Sequence, residues 1–171
     1  MKKPKEPQKI ILLNGPSSSG KSTLSRVLQK QLQESLFVNY SIVSIDDFMK
    51  LATNEKIYED DVFEISGDMC EQVIRDLQKY DGVIIDHVIT SERIYEQLQE
   101  ALGQYSILTV QVTCPLDILK EREKARKDRC IGSAESSYEH LYPRFGYDMT
   151  VDTFFVTPKM GALRIIYDAM M

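Results

Sequence analysis

Short apolar runs alternate along the chain with longer stretches in which apolar residues recur every three or four positions. Lys9–Asn14 (KIILLN) is apolar almost throughout, which predicts a strand buried on both faces. Lys21–Gln33 then places Leu24, Val27, Leu28 and Leu32 on one helical face. Phe37–Ile45 is rich in β-branched and aromatic residues and predicts a second strand. Asp68–Tyr80 carries Met69, Val73, Ile74 and Leu77 at helical spacing, and Gly82–Val88 is a third buried strand. Ser91–Leu102 predicts a helix with Ser91 as its N-cap and Gly103 as its stop. Tyr105–Cys114 predicts a fourth strand, and Pro115–Lys127 a helix with proline at its first position. Tyr147–Phe155 predicts a fifth strand, and Thr157–Met170 a closing helix with a threonine cap. Thr53–Gly67 and Asp128–Gly146 show no clean period.

Strands separated by helices of this length predict a three-layer α/β fold with a five-stranded parallel sheet. Ligands of such sheets bind at the C-terminal ends of the strands. Both irregular stretches follow segments that end at that edge, so both border the expected site. The 171 residues fit one domain, with residues 1–8 as a solvated tail. The net charge of −5 argues against nucleic-acid and acidic-membrane partners. No segment approaches the roughly 20 apolar residues a membrane span needs. Cys70, Cys114 and Cys130 are far apart, with no C-x-x-C and only two histidines in the chain. That predicts reduced thiols in a cytoplasmic protein and no zinc site.

The candidate chemistry begins directly after the first strand. Gly15, Pro16, Ser17, Ser18, Ser19, Gly20, Lys21 and Ser22 spell G-x-x-x-x-G-K-S, and Thr23 follows. A loop of this form wraps triphosphate oxygens with successive backbone N–H groups, and glycine permits the backbone shape this requires. The next helix adds its positive N-terminal end. Lys21 is a mobile charge for the β- and γ-phosphates, and the Ser22 hydroxyl can ligate Mg²⁺. The required context, an apolar strand before and an amphipathic helix after, is present. The motif therefore predicts a P-loop NTPase that binds ATP with Mg²⁺.

The strings N-K-x-D and D-x-x-G of a GTP switch do not occur. A short chain with one such loop fits a small-molecule kinase of the nucleotide-kinase-like type. The second strand ends in IDDF, which places Asp46 and Asp47 beside the loop. A carboxylate there can take the proton of an acceptor hydroxyl as it attacks the γ-phosphate. Successive strand residues point to opposite sides, so only one aspartate faces the site unless the strand has already ended. The third strand ends in VIIDH, where Asp86 is a candidate Mg²⁺ ligand, reached through water. His87 reads as a hydrogen-bonded structural residue, and His140 as a surface one. Arg122 and Arg126 lie four apart on the Pro115–Lys127 helix and Arg129 follows just beyond it, and arginine forks suit phosphate oxygens. Arg126 and Arg129 are the stronger candidates; Arg122 reads more readily as an exposed partner of neighbouring glutamates.

Five motifs in order resemble the chloramphenicol phosphotransferase family: IILLNGPSSSGKS, SIDDF, VIIDHV, EREKARKDRCIGSA and YDMTVDT. The arginine-bearing stretch followed by YD…VDT is the most specific part. The resemblance implies ATP-dependent phosphorylation of a hydroxyl on a small molecule. It also implies Asp46 as general base and an arginine-bearing lid over about 122–146. Residues 53–67 and 133–146 should build the acceptor pocket. Two other readings remain open at this point: a kinase of another metabolite, such as a nucleoside or polyol, and a nucleotide-binding regulatory module.

Overall fold

Every residue of the first strand, β1 (Ile10–Asn14), is buried, as its unbroken apolar sequence requires. The structure, a computed structural model, describes residues 8–49, 58–127 and 130–170. Around β1 the chain builds α1 (Lys21–Leu36), β2 (Tyr40–Ser44), α2 (Ile45–Met49), α3 (Glu59–Asp76) and β3 (Gly82–His87). It continues with α4 (Glu92–Leu102), β4 (Ile107–Thr113), α5 (Leu116–Ala125), α6 (Ser133–His140), β5 (Met149–Asp152) and α7 (Pro158–Met170). The five strands form one parallel sheet in the order β2-β3-β1-β4-β5.

Strand periodicity divides the core into two layers. Ile11, Leu13, Ile84, Val110 and Val112 face Leu24, Leu28 and Leu32 of α1 and Ala162, Ile165 and Ala169 of α7. Ile10, Leu12, Val83 and Ile85 face Met69 and Val73 of α3 and Ile94, Leu98 and Leu102 of α4. The three-layer α/β architecture is therefore the expected one. From β1 the chain turns towards β2 on one side of the sheet, and from β3 it crosses to β4 on the other. This reversal opens a crevice above the end of β1.

Several boundaries differ from the sequence reading. β2 ends at Ser44, and Ile45–Met49 is a short helix with both aspartates in its first turn. α3 starts at Glu59, nine residues before the expected start at Asp68. The early part looked aperiodic because two positions of its packed face are Ser66 and Gly67. Ser66 is fully buried, and a side chain at Gly67 would meet Gln97 at 3.1 Å. In the irregular stretch after α5, residues 133–140 form α6. β5 stops at Asp152, where the amides of Phe155 and Val156 turn back onto the Asp152 carbonyl. Ser91 sits at the N-cap of α4 but makes no cap hydrogen bond; its hydroxyl donates to Glu59 Oε1 at 2.5 Å. Pro115 likewise lies at the N-cap of α5 rather than at its first helical position. Thr157 caps as expected, accepting the Met160 amide at 3.2 Å.

Candidate active site

The loop between β1 and α1 needs small residues for two separate reasons. A Cβ on Gly15 would lie 2.1 Å from the Val112 carbonyl oxygen, so only glycine lets β4 approach this closely. Gly20 has φ +94°, in the left-handed region that glycine enters freely. Ser18 shares that region at φ +67°, which is uncommon for a residue with a side chain. The loop closes on itself through the Ser19 amide, which donates to the Pro16 carbonyl at 3.2 Å. Lys21 folds over it, with Nζ donating to Pro16 O at 2.8 Å and Ser19 Oγ at 3.3 Å.

One residue along α1, Ser22 Oγ donates to Asp86 Oδ2 at 2.8 Å. Strand register explains the meeting. Asp86 is paired with Leu13 on β1 and Ser44 on β2, so it stands near the C-terminal ends of the strands, within reach of the start of α1. A hydroxyl and a carboxylate at hydrogen-bond distance are a hard oxygen pair that suits Mg²⁺. That ion uses one or two protein ligands and completes its shell with phosphates and water. Ser22 and Asp86 therefore fit such an ion.

A cavity of about 1,100 Å³ extends from this point. Ser17, Ser18, Gly20, Lys21, Ser22 and Thr23 of the loop and the start of α1 form its floor; Gly15, Pro16 and Ser19 do not line it. On one side its walls are Asp46, Asp47, Met49 and Val88; on the other they are Thr153, Val156, Thr157 and Pro158. Arg122 and Arg126 of the α5 region also line it. The cavity thus brings together Lys21, Ser22, Asp46, Asp86 and Arg126 from four separate stretches of sequence. Because β2 ends before them, Asp46 and Asp47 both reach the cavity; Asp46 is half-buried and Asp47 exposed. Arg129 lies outside the described residues.

Arg122 is not the exposed ion-pair residue that its glutamate neighbours suggested. Its Nη1 donates to Thr153 Oγ1 at 2.9 Å and approaches Ser18 O at 3.4 Å, and its Nη2 donates to Thr153 O at 3.3 Å. Glu123, the next residue, is 3% exposed and points towards α6. Its carboxylate accepts the amides of Gly132 at 3.1 Å and Ala134 at 2.8 Å. Glu123 follows the fully buried Leu119 by four positions, so the helical period already marked it as an inward-facing acid. Ser137 of α6 accepts the Ser17 amide at 2.9 Å, which seats α6 against the phosphate loop.

Two further polar groups are buried around the site. Asn14 ends β1 fully enclosed. Its amide nitrogen donates to Tyr142 O and Tyr147 Oη, each at 2.9 Å, and its Oδ1 accepts the Ile89 amide at 2.9 Å. A polar residue closing an otherwise apolar strand was the signal for it. His87 lies on the α3–α4 side of the sheet with Nε2 3.4 Å from Ser66 Oγ, and it does not line the cavity. Complete burial and then the Lys21 charge push its pKa down to about 4, against opposing effects from the Val88 backbone and Asp46. The ring is therefore neutral at physiological pH. His140 is exposed, its Nδ1 2.8 Å from Ser136 O.

A family model described as chloramphenicol phosphotransferase-like protein matches residues 8–169. No curated protein matches the sequence. Among solved structures, the APS kinase of Mycobacterium tuberculosis bound to AMPPNP and APS superposes with a TM-score of 0.73 at 14% identity, covering 95% of this chain and 98% of that one. The tunicamycin resistance protein of Deinococcus radiodurans gives 0.67 at 18% identity, covering 94% and 95%. A gluconokinase from Sinorhizobium meliloti gives 0.64 at 19% identity, covering 96% of each chain. At these identities the likeness is one of fold.

Proposed function

The chain belongs to the chloramphenicol phosphotransferase-like family, and from that premise we propose that it moves the γ-phosphate of ATP to a hydroxyl of a small molecule. The observation that carries this reading is that one cavity is lined by Lys21, Ser22, Asp86 and Asp46 together. A phosphate-binding floor, a metal-ligating pair and a carboxylate beyond them are the parts that phosphoryl transfer to an alcohol requires.

In this reading the ATP phosphates lie over the loop amides, with Lys21 between the β- and γ-groups. Ser22 and Asp86 are the residues that would hold Mg²⁺. When bound, the ion neutralises charge on the phosphate oxygens. Asp46 accepts the proton of the acceptor hydroxyl as its oxygen bonds to the γ-phosphorus. The bond from that phosphorus to the bridging oxygen breaks, and ADP leaves with the electron pair. Arg126, with Arg129, stabilises charge on the transferring group. The acceptor enters between Asp46, Asp47, Met49 and Val88. Chloramphenicol or a similar hydroxyl compound is the acceptor the family suggests; nucleosides and polyols are the alternatives.

Among the described residues, no helix is long and apolar enough to cross a membrane. Cys70, Cys114 and Cys130 are all free. Coupled ADP release tests the proposal with chloramphenicol, nucleosides and polyols as acceptors. At least one should raise ATP turnover above the water rate, and Asp46→Ala should remove the increase. Nucleotide binding without stimulation by any acceptor would instead support a regulatory module.

A further inference from the structure

Some carbonyl oxygens of the phosphate loop face outward into protein. Two of them find partners there. Thr153 Oγ1 donates to Ser19 O at 2.7 Å. The same oxygen accepts Arg122 Nη1 at 2.9 Å, and that nitrogen also approaches Ser18 O at 3.4 Å. Thr153 is itself held, its amide donating to Thr113 O at 3.0 Å at the end of β4. Its methyl carbon lies 3.5 Å from where a Cβ on Gly20 would be. The braced carbonyls belong to Ser18, which is left-handed, and to Ser19, which stands between Ser18 and the left-handed Gly20. The brace therefore sits where the loop backbone departs furthest from what side-chain-bearing residues adopt.

We propose that Thr153 and Arg122 are positioning residues that hold the phosphate loop in its anion-binding shape before nucleotide arrives. Arg122 is an arginine near ATP by sequence, but it acts through Thr153 and the loop carbonyls. The hydroxyl of Thr153 is the joint, because it donates to the loop with one valence and accepts from the guanidinium with another. The inference rests on the reading of Gly15–Ser22 as a nucleotide site.

The test compares Thr153→Val, Thr153→Ser, Arg122→Ala and the Thr153→Val/Arg122→Ala double variant. Binding of AMPPNP with Mg²⁺ is measured by calorimetry, and amide hydrogen exchange of residues 15–22 is measured in the nucleotide-free protein. Thr153→Val should weaken AMPPNP binding about tenfold, the loss typical of a hydrogen bond to a buried group. Thr153→Ser should stay within about threefold of wild type, because the hydroxyl remains. Both Thr153→Val and Arg122→Ala should speed loop exchange, and the double variant should bind about as weakly as the weaker single. Multiplying losses in the double variant would mean that Arg122 contacts nucleotide directly, and would overturn the inference. So would unchanged loop exchange in Thr153→Val, or a failure of Thr153→Ser to restore binding. If Arg122→Ala does not fold, the valine and serine variants still decide between these outcomes. Wild-type protein that binds no AMPPNP would refute the nucleotide reading, while loop exchange would still report on the brace.

Discussion

The hydroxyl of Ser22 donates to the carboxylate of Asp86 across 2.8 Å, joining the first turn of α1 to the end of β3. Both are oxygen donors, and they meet at the floor of the cavity beside Lys21. If this pair holds Mg²⁺, Asp86→Asn should raise the metal concentration needed for half-maximal turnover by about 10- to 100-fold, the usual effect of weakening metal support. A magnesium titration of ATP turnover checks this. An unchanged midpoint would remove Asp86 from the metal site.

Lys21→Ala should nearly abolish phosphoryl transfer, because no other described residue places an amine over the loop. Asp46→Ala should slow turnover by about 10²–10⁴-fold, the range for loss of a general base. Asp47→Ala should have a much smaller effect. Single-turnover rates of the three variants decide between the aspartates, and the reverse order for Asp46 and Asp47 would make Asp47 the base.

His87 makes stability fall in acid. In the unfolded chain its pKa is near 6.5, whereas in the fold burial holds it down to about 4. Above pH 6.5 both states are neutral and His87 adds no pH dependence. As the pH drops through this window, the unfolded chain takes up a proton that the folded protein refuses. The folded state then loses up to about 3 kcal/mol by pH 4. Urea unfolding at pH 7 and pH 5 should show this slope in the wild type and a shallower one in His87→Gln. Equal slopes would assign the acid sensitivity elsewhere.

Glu123 anchors α6 through two backbone amides from a buried position. Removing the carboxylate in Glu123→Ala leaves both donors unpaired and should cost about 2–3 kcal/mol. Exchange of the amides from Gly132 to Ser137 should accelerate with it. Glu123→Gln should lose less, because its amide oxygen still accepts. A stable Glu123→Ala variant with unchanged exchange would contradict the anchoring role.

Gly82 opens β3 with no room for a side chain. A Cβ there would lie 2.2 Å from Tyr40 Cε1 and 2.8 Å from the Lys9 carbonyl oxygen. The ring is held by its own hydroxyl, which donates to Gln8 O at 2.6 Å. Gly82→Ala should therefore destabilise the protein by about 1–3 kcal/mol. Thermal unfolding measures the loss, and an unchanged midpoint would show that Tyr40 moves aside freely.

The sheet was legible because β1 is apolar almost throughout, β3 carries an apolar run, β4 alternates apolar and polar residues, and the helices keep a 3.6-residue period. The phosphate loop was legible because its chemistry is local, with donors, lysine and hydroxyl contained in eight consecutive residues. What stayed hidden depends on contacts distant in sequence. Nothing in the local pattern says that Arg122 turns to Thr153, 31 residues later. The first half of α3 was hidden for a different reason. Ser66 and Gly67 occupy its packed side, and the period is visible only once the neighbouring His87 and Gln97 are in place. The paired aspartates were placed at a strand end. They lie instead in a helical turn, which is why both reach the cavity.

Asn14 has a consequence for remodelling the protein. Its single amide group joins the end of β1 to the segment after β3 and to the segment before β5. The second of these segments closes the irregular stretch Asp128–Gly146. A chimaera that imports that stretch from a relative therefore has a fixed splice point. The donor segment must present a backbone carbonyl to Asn14 in place of Tyr142 and a hydroxyl in place of Tyr147. A graft lacking them would strand an amide in the interior and fail at the seam, however well its own residues suited a new acceptor.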